Sequence, residues 1–284
     1  FLDDDDQNPT PPWSSLGDLQ KAVEQLESDT QNEETKQRLA VLIAPGSSLG
    51  GARPKANILG KEKSLWIAKF PSKTDTVDKA AWEYLAYKLA IACGLEMADS
   101  KIQKISGSYH TFLTKRFDRE DGGRIHFASA MTMTGNNEET LKNQTASYLD
   151  IVDFIENYGT NVKANLHQLW RRIVFNITIS NTDDHLRNHG FILNEKGWEL
   201  SPAYDLNPSI EKDGLALNID MDDNALDFGL AKSVGEFFRL SGDEMDAIIN
   251  EVLTVVRDWK TLAKGIGISN KEISLMESAF NIEV

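Results

Sequence analysis

Gly46-Ser-Ser-Leu-Gly-Gly-Ala-Arg-Pro-Lys-Ala-Asn-Ile-Leu-Gly-Lys-Glu-Lys-Ser-Leu-Trp-Ile-Ala-Lys-Phe70 is the stretch on which the reading of the fold turns. It opens on a glycine-rich turn and continues as two short β-rich runs, 55–59 and 65–70, separated by polar and glycine residues. A similar run, Val41-Leu-Ile-Ala44, precedes the turn, and His110-Thr-Phe-Leu-Thr114 follows further on. Between them, at about 76–92, Val77, Ala81, Tyr84, Leu85 and Leu89 fall at three- and four-residue intervals and predict one helix. Strands interrupted by a single helix predict a small antiparallel lobe. After about residue 120 helical periodicity takes over at 141–157, 165–180 and 243–263, with short strands only near 190–193 and 198–200. The expected fold is therefore α+β in two lobes, a small β-rich N-lobe over 1–118 and a larger, mainly helical C-lobe over 119–284, with a cleft between them.

The composition permits such a core. Of 284 residues, 40% are hydrophobic and 26% charged, as in an ordinary globular chain. Thirty Lys and Arg against 44 Asp and Glu leave a net charge of −14, which disfavours direct binding to nucleic-acid phosphates. Half of that excess lies in residues 1–40, where an acidic entry segment leads through Pro9-Thr-Pro-Pro-Trp13 to a helix expected at 15–28, capped by Ser14 or Ser15. The start at Phe1 lacks the basic and apolar regions of a signal peptide and reads as a piece beginning inside a longer protein. No apolar run reaches the roughly 18–20 residues of a membrane span. A single cysteine, Cys93, excludes an intrachain disulfide and a multi-cysteine zinc site. Together these features point to a reducing, cytoplasmic setting with no membrane contact, and Cys93 reads as a buried small hydrophobe.

Three groups of residues have chemistry in them. Glycines 46, 50 and 51 let the backbone approach a ligand and offer N–H groups to an anion, although a glycine-rich hairpin needs no ligand, and the Gly-Lys-Ser/Thr of a Walker loop is absent. Lys69 lies in an apolar strand, either snorkelling to the surface or facing a polar cleft. The order glycine turn, lysine strand, helix with Glu83 is that of protein kinases, in which the helix glutamate orients the lysine. The densest group is Ser180-Asn-Thr-Asp-Asp-His-Leu-Arg-Asn-His189 followed by Ser201-Pro-Ala-Tyr-Asp-Leu206. A hairpin over 190–198 folds Asp205 back beside Asn188. Asp183 to orient a hydroxyl, with Asn188 and Asp205 to hold Mg²⁺, then forms a minimal set for phosphoryl transfer. His185 braces this loop by hydrogen bonds. The alternative is a metal-dependent phosphohydrolase built on Asp183, His185, His189 and Asp205.

At these residues the sequence resembles the HipA-like serine/threonine kinases of bacterial toxin–antitoxin systems. The matching segments are Ser48-Leu-Gly-Gly-Ala-Arg-Pro-Lys55, Trp66-Ile-Ala-Lys-Phe-Pro71, Asn181-Thr-Asp-Asp-His-Leu-Arg-Asn188 and Leu200-Ser-Pro-Ala-Tyr-Asp205, and the last two are specific as a pair. The resemblance extends over nearly the whole chain, without most of the small N-terminal subdomain such kinases carry. It implies a protein-kinase-like fold with ATP and Mg²⁺ as cofactors, Asp183 as catalytic base, and Asn188 and Asp205 as metal ligands. It further implies ATP binding by the loop Leu49, Gly50, Gly51, Ala52, Arg53, Pro54 and Lys55, by Lys69, and by His185, Asn188 and Asp205. Lys115, Arg116 and Phe117 match the hinge that reads adenine, and Glu83 is the candidate for orienting Lys69. Ser48 matches a serine whose autophosphorylation expels the loop, with Ser47 adjacent; a phosphoserine competes with ATP phosphates for Lys55 and Lys69. Members pair with a helix-turn-helix, HipB-like antitoxin that supplies the DNA contact. The best-known relatives suggest an aminoacyl-tRNA synthetase as substrate, which no residue here identifies.

The sequence thus predicts a toxin-type protein serine/threonine kinase regulated by loop autophosphorylation. A non-catalytic kinase-like module that only binds an antitoxin is a third reading, and the joint presence of Asp183, Asn188 and Asp205 argues against it.

Overall fold

A computed structural model describes residues 10–28, 53–120, 123–137, 139, 141 and 146–282. The strand expected at 41–44 and the loop residues Ser47, Ser48, Leu49, Gly50, Gly51 and Ala52 lie outside the described residues. The chain divides into two compact units. The smaller holds the described residues up to Tyr84 and those from Asp99 to Gly123; the larger holds Leu85–Ala98 and the described residues from Arg124 onward. The chain passes between them at 84/85, inside a helix, at 98/99 and at 123/124, so the single cut expected at 118/119 lies near the last of three crossings.

In the smaller unit, β1 (Lys55–Leu59), β2 (Leu65–Lys69), β3 (Ser100–Gln103) and β4 (Thr111–Lys115) form an antiparallel sheet in the order β1-β2-β4-β3. Helix α1 (Leu16–Ser28) lays Leu16, Leu19 and Val23 against Ala56, Ile58, Ala68, Phe70 and Leu113 of this sheet. Full burial of each large side chain contributes about 1.5–3 kcal/mol, which outweighs the mostly polar composition of α1. Trp13 meets Trp66 edge-on, and the Lys101 ammonium sits 3.9 Å from the Trp13 ring centre and 4.5 Å from that of Trp66. Helix α2 (Lys79–Ala92) begins at Asp78, whose carboxylate accepts the Ala81 and His110 backbone N–H groups. β3, which lacks a clear alternating run, escaped the sequence reading and is recruited by pairing with β4.

The larger unit is mainly helical: α3 (Tyr148–Tyr158), α4 (Val162–Thr178), α5 (Phe228–Ser233), α6 (Gly242–Val256), α7 (Trp259–Ile266) and α8 (Asn270–Leu275). α4 is its spine. From Leu169 to Thr178 only Arg171 escapes full burial, and the Trp170 indole N–H donates to the Ala231 carbonyl at 3.0 Å. The helix expected over 243–263 is two, α6 and α7, divided at Arg257 and Asp258, and the one expected over 141–157 starts at Tyr148 behind a Ser147–Asp150 capping box. A second antiparallel sheet joins β5 (His126–Ser129), β6 (Gly190–Asn194) and β7 (Gly197–Leu200). The hairpin foreseen at 190–198 is β6–β7. Gly190 opens it in a place where any Cβ would stand 2.3 Å from the Phe127 ring, so only glycine lets the polar loop enter the sheet here.

Candidate active site

In the smaller unit the backbone pairs Lys55 with Lys69 across β1 and β2. Lys69 is buried, and its ammonium donates to Glu83 of α2 at 2.6 Å. Glu83 is itself 6% exposed, so this is an ion pair inside the protein and not a chance surface contact. Arg53 donates from Nε to the Phe70 carbonyl at 2.9 Å and meets Asp75 at 3.2 Å; its guanidinium fastens the chain beside the loop. At the end of β4 the backbone N–H groups of Lys115 and Arg116 donate to the carbonyls of Asp99 and Leu65. Two backbone N–H groups of the hinge expected at Lys115, Arg116 and Phe117 are thus already paired within the protein. The Arg116 side chain is bidentate on Asp118, at 2.8 and 2.6 Å, and Arg119 adds a third bond. Burial works to raise the Asp118 carboxyl, but the bonds and charges of Arg116 and Arg119 outweigh it and hold the group below its ordinary range.

In the larger unit α4 ends at Thr178, and Ser180 takes the left-handed conformation at φ 48° to release the loop. Asp183 points outward, its side chain 76% exposed, with the Lys212 ammonium 4.0 Å away. A 3-10 turn at Leu186–Asn188 brings Asn188 back, where its amide nitrogen donates to the Asp183 carbonyl at 3.1 Å. The neighbouring acid behaves differently. Asp184 is 1% exposed, and one of its oxygens accepts from the Tyr148 hydroxyl, from Asn176 at 2.7 Å and from His189 at 2.8 Å. Burial and the adjacent Asp184 push the Tyr148 phenol far above its ordinary range, keeping it a donor. Buried Arg172 donates to the Ser201 carbonyl; burial lowers it to about 10, while Asp184, Tyr204 and Glu96 pull the other way. It stays charged at neutral pH.

After β7 the chain returns across this loop. Ser201 N–H donates to the Gly190 carbonyl, the Tyr204 hydroxyl to the Arg187 carbonyl at 2.7 Å, and Ser209 N–H to the Ser180 carbonyl. Asp205 stands among these ties at φ 60°, a strained backbone for a residue other than glycine and a conformation that clusters at functional sites. Its carboxylate accepts from the Asn207 amide at 3.2 Å.

The donor set suits magnesium. Because Asn188 bonds Asp183 through its nitrogen, its amide oxygen is the atom left to face a cation, and Asp205 supplies a second hard oxygen. Two protein oxygens, completed by phosphate and water, are what a nucleotide-bound Mg²⁺ requires. The phosphohydrolase alternative fares worse. Its His189 is 2% exposed and bonded to Asp184, and among the described residues no three His, Cys, Asp or Glu side chains are grouped to hold a metal. The bracing histidine is also this one. Its Nε2 bonds Asp184, while its Nδ1 and that of His185, expected in the bracing role, are buried without a hydrogen-bond partner among the described residues. Tyr148, Asn176 and Asn207 were not foreseen at the site. Asn176 had a signal: it is the one amide in the apolar run Ile173-Val-Phe-Asn-Ile-Thr-Ile179, and a buried amide needs partners.

Comparison with known proteins gives the family and the fold. The family model described as HipA-like C-terminal domain matches residues 47–259, and the chain belongs to that family. A Haemophilus influenzae protein named "Putative kinase" is 25% identical over 183 residues, 56% of this chain and 52% of its own length. Sinorhizobium fredii "Putative kinase Y4mE" is 25% identical over 210 residues, 71% of this chain and 43% of its own. The chain thus spans about half the length of these curated relatives. Among solved structures, the Shewanella oneidensis HipA, HipB and operator DNA complex matches with a TM-score of 0.68 at 18% identity, over 92% of this chain and 68% of that one. The fold is accordingly the kinase-like fold of HipA. No helix among the described residues is long and apolar enough to cross a membrane.

Proposed function

We infer that the protein is an ATP- and Mg²⁺-dependent protein serine/threonine kinase of toxin–antitoxin type. The observation that carries the reading is the cross-tying of 180–190 to 201–209, which gathers an outward carboxylate, Asp183, and two candidate metal ligands, Asn188 and Asp205, on one polar frame. In this reading Asp183 accepts the proton of the substrate hydroxyl as its oxygen attacks the γ-phosphorus. Lys69, oriented by Glu83, pairs with the nucleotide phosphates, joined by Lys55. Asn188 and Asp205 hold the Mg²⁺, which neutralises charge on the transferred group. The loop from Leu49 to Lys55 is assigned to the nucleotide phosphates, and phosphorylation of Ser48 displaces it by competing for Lys55 and Lys69. The likeness to a HipA seen with HipB and operator DNA supports a helix-turn-helix antitoxin as partner, with DNA contacted through it.

The test is transfer of γ-phosphate by the purified chain, read by mass spectrometry. Wild type marks itself at Ser48, Ser48→Ala loses the main mark, and Asp183→Ala and Asp205→Ala lose transfer while retaining cooperative unfolding. Wild-type rates in either aspartate variant would refute the assigned roles.

A further inference from the structure

Between the two chemical ends of the larger unit runs a continuous file of amides that the proposed reaction does not itself use. It starts at Asp184, next in sequence to Asp183. Asn176 donates to Asp184 at 2.7 Å; Asn181 donates to the Asn176 carbonyl oxygen Oδ1 at 3.0 Å. The Asn181 oxygen then accepts the backbone N–H of Asn207 at 3.3 Å, and the Asn207 amide donates to Asp205 Oδ1 at 3.2 Å. Asn176 is fully buried and Asn181 is 1% exposed, so both amides are held where water does not compete. Asn176 and Asn181 each turn nitrogen toward Asp184 and oxygen toward Asp205, while Asn207 donates both ways, from its backbone N–H to Asn181 and from its amide nitrogen to Asp205.

We propose that Asn176, Asn181 and Asn207 are positioning residues that set Asp205 relative to Asp183 by fixing both to the Asp184 anchor. This rests on the kinase reading above and names residues outside its chemistry. The physical need is specific. Asp205 holds a left-handed backbone that persists only where its surroundings over-determine it, and a carboxylate free to rotate binds a cation less tightly than one already aimed. Asn207 supplies that aim from the side chain, and Asn181 aims Asn207 through its backbone. Tyr148 and His189, on the same Asp184 oxygen, keep the far end from drifting.

The experiment measures calorimetric binding of a non-hydrolysable ATP analogue with and without Mn²⁺, in wild type, Asn181→Ala and Asn207→Ala. Asn207 is only partly buried, so its variant folds even if the buried Asn181 change does not. Expected is a loss of about tenfold in the affinity gained from Mn²⁺, the low end of what removal of outer partners costs a metal site, with metal-free affinity within twofold. A folded Asn207→Ala protein whose Mn²⁺-dependent gain equals wild type overturns the proposal, and so does a parallel loss of metal-free binding, which marks general disruption. If wild type itself gains nothing from Mn²⁺, the kinase reading fails first and takes the relay with it.

Discussion

Glu83 had little to recommend it as a residue in the sequence, one glutamate on a helix, yet it closes a buried ion pair with Lys69. The reason lies in the neighbourhood. Lys69 faces the inside of the sheet, its ammonium 5.6 Å from the Phe112 ring centre, and without an anion it would be a stranded charge. Glu83→Ala is expected to destabilise the protein by about 3–5 kcal/mol, the cost of removing one partner from a buried pair. Urea denaturation measures it, and a change below about 1 kcal/mol would mean that water reaches Lys69 freely. Asp183 and Asp184 give the opposite lesson: identical neighbours in sequence, one 76% exposed beside a lysine and the other sealed under three donors. Nothing in the doublet distinguishes them; the alternation of the loop backbone does.

Among the elements, the strand β4 and its exit show how local charge is organised. Arg116 and Arg119 converge on Asp118, and the folded carboxyl titrates below the ordinary value. An acid depressed on folding lends stability that is complete above its unfolded pKa, about 3.9, and lost as the pH falls through the lower folded value. Asp118→Asn is therefore expected to cost about 1.5–3 kcal/mol at pH 7, the range for hydrogen bonds to charged groups. Its deficit against wild type should shrink below about pH 4. Thermal unfolding at pH 7 and at pH 3 checks both statements, and an equal deficit at the two pH values would contradict them. Helix ends were harder to read than helix faces. The apolar spacing runs straight through Arg257 and Asp258, because periodicity reports which side is buried and not where an axis turns; α7 turns there to bury Trp259, whose ring stacks on Phe280.

For the whole molecule, charge is the property that composition states most directly. A net charge of −14 disfavours contact with a phosphate backbone. With DNA contact assigned to an antitoxin, the isolated chain should pass through a DNA column at about 0.15 M salt and be retained only with a basic helix-turn-helix partner. Retention of the chain alone at that salt would remove the need for the partner.

The sequence alone placed strands at 55–59 and 65–70, found as Lys55–Leu59 and Leu65–Lys69, and carried the family likeness, because hydrophobic period and short motif spacing are local quantities. The buried status of Glu83, the separation of Asp184 from Asp183, the exchange of His185 for His189 as the bracing histidine, and the amide file from Asn176 to Asn207 were decided only by the tertiary structure. Each depends on how the folded chain turns side chains toward one another, whether 5 residues apart (His189 and Asp184), 14 (Lys69 and Glu83) or 26 (Asn207 and Asn181), and a buried polar side chain is defined by the partners that satisfy it, not by its neighbours along the chain.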